Sequence, residues 1–159
     1  MQEIISNIIV AVLASGLTYF LAIEKFRSEK WWELKFLAYQ KIIEALHKAK
    51  EYSSQHHDVE LGIKMLSEEK KAILKADTLL GSQEIAKAID VGSFIISEEA
   101  VLVLDGYRND MDSLNSSTNS WFEYLDDSYG LTKDCLDKVK LLAKKDLQRS
   151  HVLFSSLNY

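Results

Sequence analysis

The chain has 159 residues, 47% of them hydrophobic and 27% charged, with a formal net charge of −5. That length allows one compact core, the apolar share excludes a disordered chain, and the acidic balance excludes a domain-wide nucleic-acid surface. Proline is absent and Cys135 is the only cysteine, so helix breakers are few, no internal disulfide can form, and a reducing compartment is the simpler reading.

Ile4 to Ile23 are twenty consecutive residues without a charge, bounded by Glu3 and by Glu24, Lys25 and Arg27. A helix of that length covers about 30 Å, the depth of a bilayer's hydrocarbon core. The run therefore predicts a transmembrane anchor over residues 1–23, with residues 24–159 forming a second, helical domain. A buried helix and a cleaved signal peptide are the alternatives; the acidic start Met1-Gln2-Glu3 argues against the signal peptide. Lys25, Arg27 and Lys30 follow the run and no Lys or Arg precedes it. The positive-inside rule then places the N-terminus outside the inner membrane and the helical domain in the cytoplasm. Trp31 and Trp32 suit either the headgroup zone or the core. Ala14, Thr18 and Ala22, with Ala11 and Ser15 beside them, predict a small-residue seam for helix packing.

No loop signal follows until about Glu51, so the anchor is expected to continue as one rod. Phe36, Tyr39, Ile43, Leu46 and Lys50 follow spacings of three and four, with Ile42 and Ala49 beside them, as the stripe of an amphipathic helix does. Ser53 to Asp58 reads as a turn, with Asp58 an N-cap. A helix from Val59 to about Leu80 is expected to bury Leu61, Met65, Ile73, Ala76 and Leu80, and Gly81-Ser82 to end it. A third segment starts at Gln83, is expected to bury Ile85, Ala88 and Ile89, and runs toward Ile96; Ser97-Glu98-Glu99 opens a fresh helix through Ala100–Leu104. Ser113 to Ser120 is the clearest loop. Trp121–Leu125 then predicts a short helix ending near Gly130, and a last helix runs from Thr132 to Ser155 over Cys135, Leu136, Val139, Leu142, Ala143 and Leu147. The fold class is all-α: an antiparallel bundle of four to five helices.

No glycine-rich phosphate loop, nucleophile elbow or HExxH pattern is present, so no catalytic, cofactor or metal residue is assigned. His56 and His57 are adjacent and point apart, which suits a solvated turn better than a zinc site. His47 and His151 stand alone, and Cys135 falls on an apolar stripe. Residues 98–137 hold ten acidic residues against Arg108 and Lys133. Asp105, Asp110, Asp112, Asp126 and Asp127 make that stretch a solvated acidic face or a docking surface for a basic partner. Lys138, Lys140, Lys144, Lys145 and Arg149 form a compensating basic cluster.

Three stretches carry a resemblance: Trp31-Trp32 with Lys35, Ala38-Tyr39, Ile42-Ile43 and Leu46-His47; Gly92 to Ser97; and Ala143 to Leu147. Their order and spacing resemble a group of small bacterial proteins with one N-terminal span, some in anti-phage defence loci. The resemblance implies an accessory or effector subunit and names no catalytic residue. The expectation is a non-enzymatic interaction protein whose partners are the lipid bilayer and its own copies or another chain, without nucleic acid. The rivals are an enzyme with a site drawn from His47, His56, His57, Asp126 and Asp127, and a signal-sensing protein.

Overall fold

The computed structural model describes the backbone of residues 2–117 and 120–155, and the side chains of residue 13 and residues 15–148 apart from 93 and 117–119. Four helices follow one another: α1 (Gln2–Glu60), α2 (Glu68–Val91), α3 (Glu98–Ser117) and α4 (Trp121–Ser155), with a single 3₁₀ turn at Gly92–Phe94 between α2 and α3. The all-α expectation holds, and the bundle is four-helical.

Cross-helix contacts set the directions. Lys35 meets Asp146 and Ser53 meets Ser128, so α1 and α4 are antiparallel. Lys48 bonds Asp77, and Gly81 lies against Ala45, which runs α2 antiparallel to α1. Tyr107 meets Thr132 and Glu99 meets Lys145, reversing α3 relative to α4. Every helix therefore runs opposite to the next, the up-down arrangement that short connections allow. The core is built from Tyr39, Ile42 and Leu46 of α1, Ile85 of α2, Ile96 beside the 3₁₀ turn, Ala100 and Leu104 of α3, and Leu136, Val139 and Ala143 of α4. Their spacings of three and four put each set on one helical face.

The boundaries differ from expectation in ways that have local causes. α1 does not turn at Ser53–Asp58. Ser53 is buried, bonds the Ala49 carbonyl and lies 2.7 Å from the Ser128 hydroxyl, so this polar stretch is the face that α1 turns toward α4. The helix ends instead at Gly62, whose φ of +69° no side-chain-bearing residue adopts cheaply. There the Ile63 amide returns to the Asp58 carbonyl at 2.9 Å and the Gly62 amide to Val59 at 3.0 Å, a Schellman closure. The next helix begins at Ser67, which accepts from the Lys70 amide, with Glu68 and Glu69 in the first turn.

Because α2 starts nine residues later than Val59, it turns another face inward. Leu74, Gly81 and Ile85 are buried, whereas Leu61, Met65, Ile73 and Leu80 are exposed and Ala76 is uncovered as well. Gly81 does not break the helix. A Cβ there would stand 3.2 Å from the Ala45 carbonyl oxygen, so the glycine lets α1 and α2 approach. α4 likewise runs unbroken through Gly130 and Thr132; Thr132 is buried, its hydroxyl held by the Ser128 carbonyl and by Tyr107. The expected loop at Ser113–Ser120 shrinks, since α3 continues to Ser117.

The expected membrane placement is corrected. Among the described residues no helix is long and apolar enough to cross a membrane. The described uncharged run, Leu13 to Ile23, amounts to about 16 Å of helix, roughly half a hydrocarbon core, and it includes Ser15, Gly16, Thr18 and Tyr19. The side chains of residues 4–12 and 14, on which the rest of that expectation falls, lie outside the described ones. The single-pass assignment to the inner membrane is overturned, and with it the outside N-terminus and cytoplasmic C-terminal domain inferred from it. The backbone of α1 passes residue 23 without interruption.

Candidate interaction surface

The three stretches that carry the resemblance converge at one end of the bundle. Tyr39 is 1% exposed. Its hydroxyl lies 3.0 Å from Asp146 Oδ2, accepts from the Ser97 amide at 3.2 Å and sits 3.2 Å from Ser97 Oγ. Lys35 Nζ donates to Asp146 Oδ1 at 2.9 Å. Burial raises the Tyr39 pKa above the ordinary phenol value, opposed by its bonds to Ser97. Ser97 also accepts from the Ala100 amide, so the serine that opens α3 is the one that Tyr39 holds. Four residues from three distant stretches thus tie α1, α3 and α4 together. Every polar atom named here is engaged, which makes the cluster a strut for the fold.

The opposite end is aromatic. His56 stands 4.4 Å from Tyr52 and 6.1 Å from Trp121, and His57 is 4.7 Å from Phe122, centroid to centroid. Trp121 stacks on Tyr124 at 5.3 Å. The Nε2 atom of His56 is buried without a hydrogen-bond partner among the described residues. Burial lowers the His56 pKa below the ordinary value, helped by the Lys71 charge and opposed by Glu60. Asp126 and Asp127 belong to the first turns of α4, close in sequence to this end, but both are exposed, and His47 is exposed about 14 Å back along α1 from His56. Among the described residues no group of three or more His, Cys, Asp or Glu is placed to hold a metal. Cys135 is buried, and that burial pushes its thiol up to about 12.

The acidic stretch is less bare than its composition. Asp105 pairs with Arg108 at 2.6 Å, Asp134 with Lys138 at 2.6 Å, Asp137 with Lys133 at 3.4 Å and Glu99 with Lys145 at 2.9 Å. Asp110 and Asp112 on α3 and Asp126 and Asp127 on α4 remain exposed. The basic cluster is divided in the same way: Lys138 and Lys145 are paired, Lys140 and Lys144 are exposed, and the side chain of Arg149 lies outside the described ones.

The uncovered apolar surface is concentrated on the first half of α1. Leu17 is 62% exposed, Phe20 60%, Phe26 61% and Trp31 52%. Trp32 stacks on Phe36 at 5.5 Å, both partly open to solvent. Lys25, Arg27 and Lys30 are exposed around them, Arg27 paired with Glu24 and Lys30 with Glu33. Of the expected packing seam, Ser15, Thr18 and Ala22 are exposed, and the side chains of Ala11 and Ala14 lie outside the described ones. Where this length of α1 meets the bundle, a groove of about 410 Å³ opens between α1 and the end of α2. Leu34, Leu37 and Ile42 form one wall, Val91 and Ile95 the other, with Lys41, Glu84 and Lys87 at the edge. A smaller cleft of about 240 Å³ between α3 and α4 is lined by Leu102, Gly106, Asp110, Cys135 and Lys138. Neither contains His47, His56, His57, Asp126 or Asp127.

The sequence suggests the headgroup zone or the core for Trp31 and Trp32, whereas both are exposed, and it does not show the groove. Its far wall, Val91 and Ile95, is supplied by the end of α2 and the turn that follows it, which only packing brings beside Leu34 and Leu37. No family model, no curated protein and no solved structure matches this chain.

Proposed function

We propose that this chain is a non-enzymatic interaction protein that associates with copies of itself or with a protein partner through the first half of α1 and the adjoining groove. The observation that carries this reading is the contrast in cover along α1: side chains as large as Phe26 and Trp31 stand mostly in solvent. Apolar patches beyond a few hundred Å² on a folded chain mark surfaces that another molecule covers. The acidic residues Asp110, Asp112, Asp126 and Asp127 offer a second, polar contact that would add rate and specificity rather than affinity. In the setting implied by the resemblance, bacterial defence, the chain would serve as an accessory subunit.

The test is purification of the tagged full-length chain from its native host, followed by sizing and identification of co-purifying chains. The expected result is an assembly larger than one chain that is lost in the double variant Leu34→Asp/Leu37→Asp. Both side chains are about half exposed, at 50% and 43%, so the bundle itself should fold. A lone monomer from both the parent and the variant would refute the reading.

A further inference from the structure

The uncovered length of α1 has a pattern with the same spacing from either end and opposite charges at matching places. Phe26 is followed four residues later by Lys30, and Leu37 is preceded four residues earlier by Glu33. Phe26, Lys30, Glu33 and Leu37 are spaced by four, three and four, so they lie on one helical face. All four are exposed. In the single chain Lys30 bonds Glu33 at 2.7 Å, an exposed pair of the kind that contributes little and exchanges readily.

An apolar–basic–acidic–apolar face of this symmetry is complementary to itself when a second helix is laid antiparallel on it. Lys30 then meets Glu33 of the second copy, twice, and Phe26 meets Leu37 of the second copy, twice. This is the self-complementary contact that two-fold symmetry requires. Leu37 is also a wall of the groove, so the same register carries Phe26 of the second copy to its mouth. On this face and at the groove beside it, the exposed fractions of Phe26, Leu34, Leu37 and Val91 leave about 400 Å² of apolar surface uncovered, the size of patch that marks a contact surface.

We propose that this face of α1 is the contact with a second copy of the chain, packed antiparallel about a two-fold axis between Trp31 and Trp32. The proposal rests on the interaction reading above and narrows it to one partner and one register.

Charge reversal tests it in the full-length chain. Lys30→Glu places two acidic residues opposite each other at both symmetric contacts, and Glu33→Lys places two basic ones. Each variant alone should self-associate about tenfold or more weakly than the parent in sedimentation equilibrium. Mixed together under different tags, the two variants should capture one another, because each glutamate at position 30 then faces a lysine at position 33. Circular dichroism serves as the fold control, since both variants lose the intrachain pair equally.

Single variants that associate like the parent, or a mixture that does not restore capture, would overturn the antiparallel register. A parent chain that captures another protein on this face, or adheres to lipid vesicles, but never captures its own copies would overturn the second-copy proposal and leave the interaction reading standing. A parent chain that captures nothing would end both.

Discussion

From Tyr39 to Val59 the first helix lies between α2 and α4, and Tyr39, Ile42, Ala45 and Leu46 are each under 5% exposed. From Leu13 to Leu37 the same unbroken helix carries equally apolar residues, yet Leu13, Leu17 and Phe20 are all 60% exposed or more. Composition does not separate the halves. What separates them is whether the described residues supply a neighbour: α2 ends at Val91 and so stops short of the first half. One half therefore owes its stability to burial within the chain, while the other offers the same kind of surface to another molecule.

The comparison breaks most sharply in the core. Leu104 is fully buried on α3, and Leu104→Ala should lower unfolding free energy by about 2–5 kcal/mol in urea titrations. Leu17→Ala, on the uncovered half, should leave it within about 0.5 kcal/mol. Equal losses at the two sites would mean that the first half is covered within one chain.

A smaller effect tests the junction of the halves. Tyr39→Phe keeps the ring and removes the hydroxyl shared by Ser97 and Asp146. Lys35 still satisfies Asp146, so the loss should be about 1–2 kcal/mol by the same titration. No change would show that the strut is ornamental.

The smallest effect is one of pH. The pKa of His56 is lowered in the fold from its ordinary 6.5, so below that value the unfolded chain binds the proton more readily than the folded one. The stability contributed by neutral His56 is complete above pH 6.5 and is lost as pH falls toward the lowered folded value. His56→Gln should flatten the fall of melting temperature as pH drops below 6.5. An unchanged slope would assign the dependence to other groups.

Much of this was legible beforehand. The absence of proline and the helical spacings are local: of the stripe expected on α1, Tyr39, Ile42 and Leu46 are buried while Phe36 is exposed, and on α4 Leu136, Val139 and Ala143 are buried. Ser97-Glu98-Glu99 signals a helix start, and Ser67-Glu68-Glu69 carries the same signal inside the helix expected from Val59.

Glycine shows where sequence stops and tertiary structure decides. Gly62, Gly81 and Gly130 are chemically identical stop signals. Gly62 takes φ +69° and closes α1, with the Ile63 amide returning to the Asp58 carbonyl. Gly81 stays helical because Ala45 lies against it and leaves no room for a side chain. Gly130 stays helical in open space, two residues before the Thr132 hydroxyl bonds Tyr107 of α3. The sequence by itself determined the helical class and most of the inward faces, since those follow from the period of the chain. Only the packing of helices against one another decided which glycine ends a helix and which apolar face stays uncovered. Both depend on what lies opposite, and a residue's own neighbours in sequence do not carry that information.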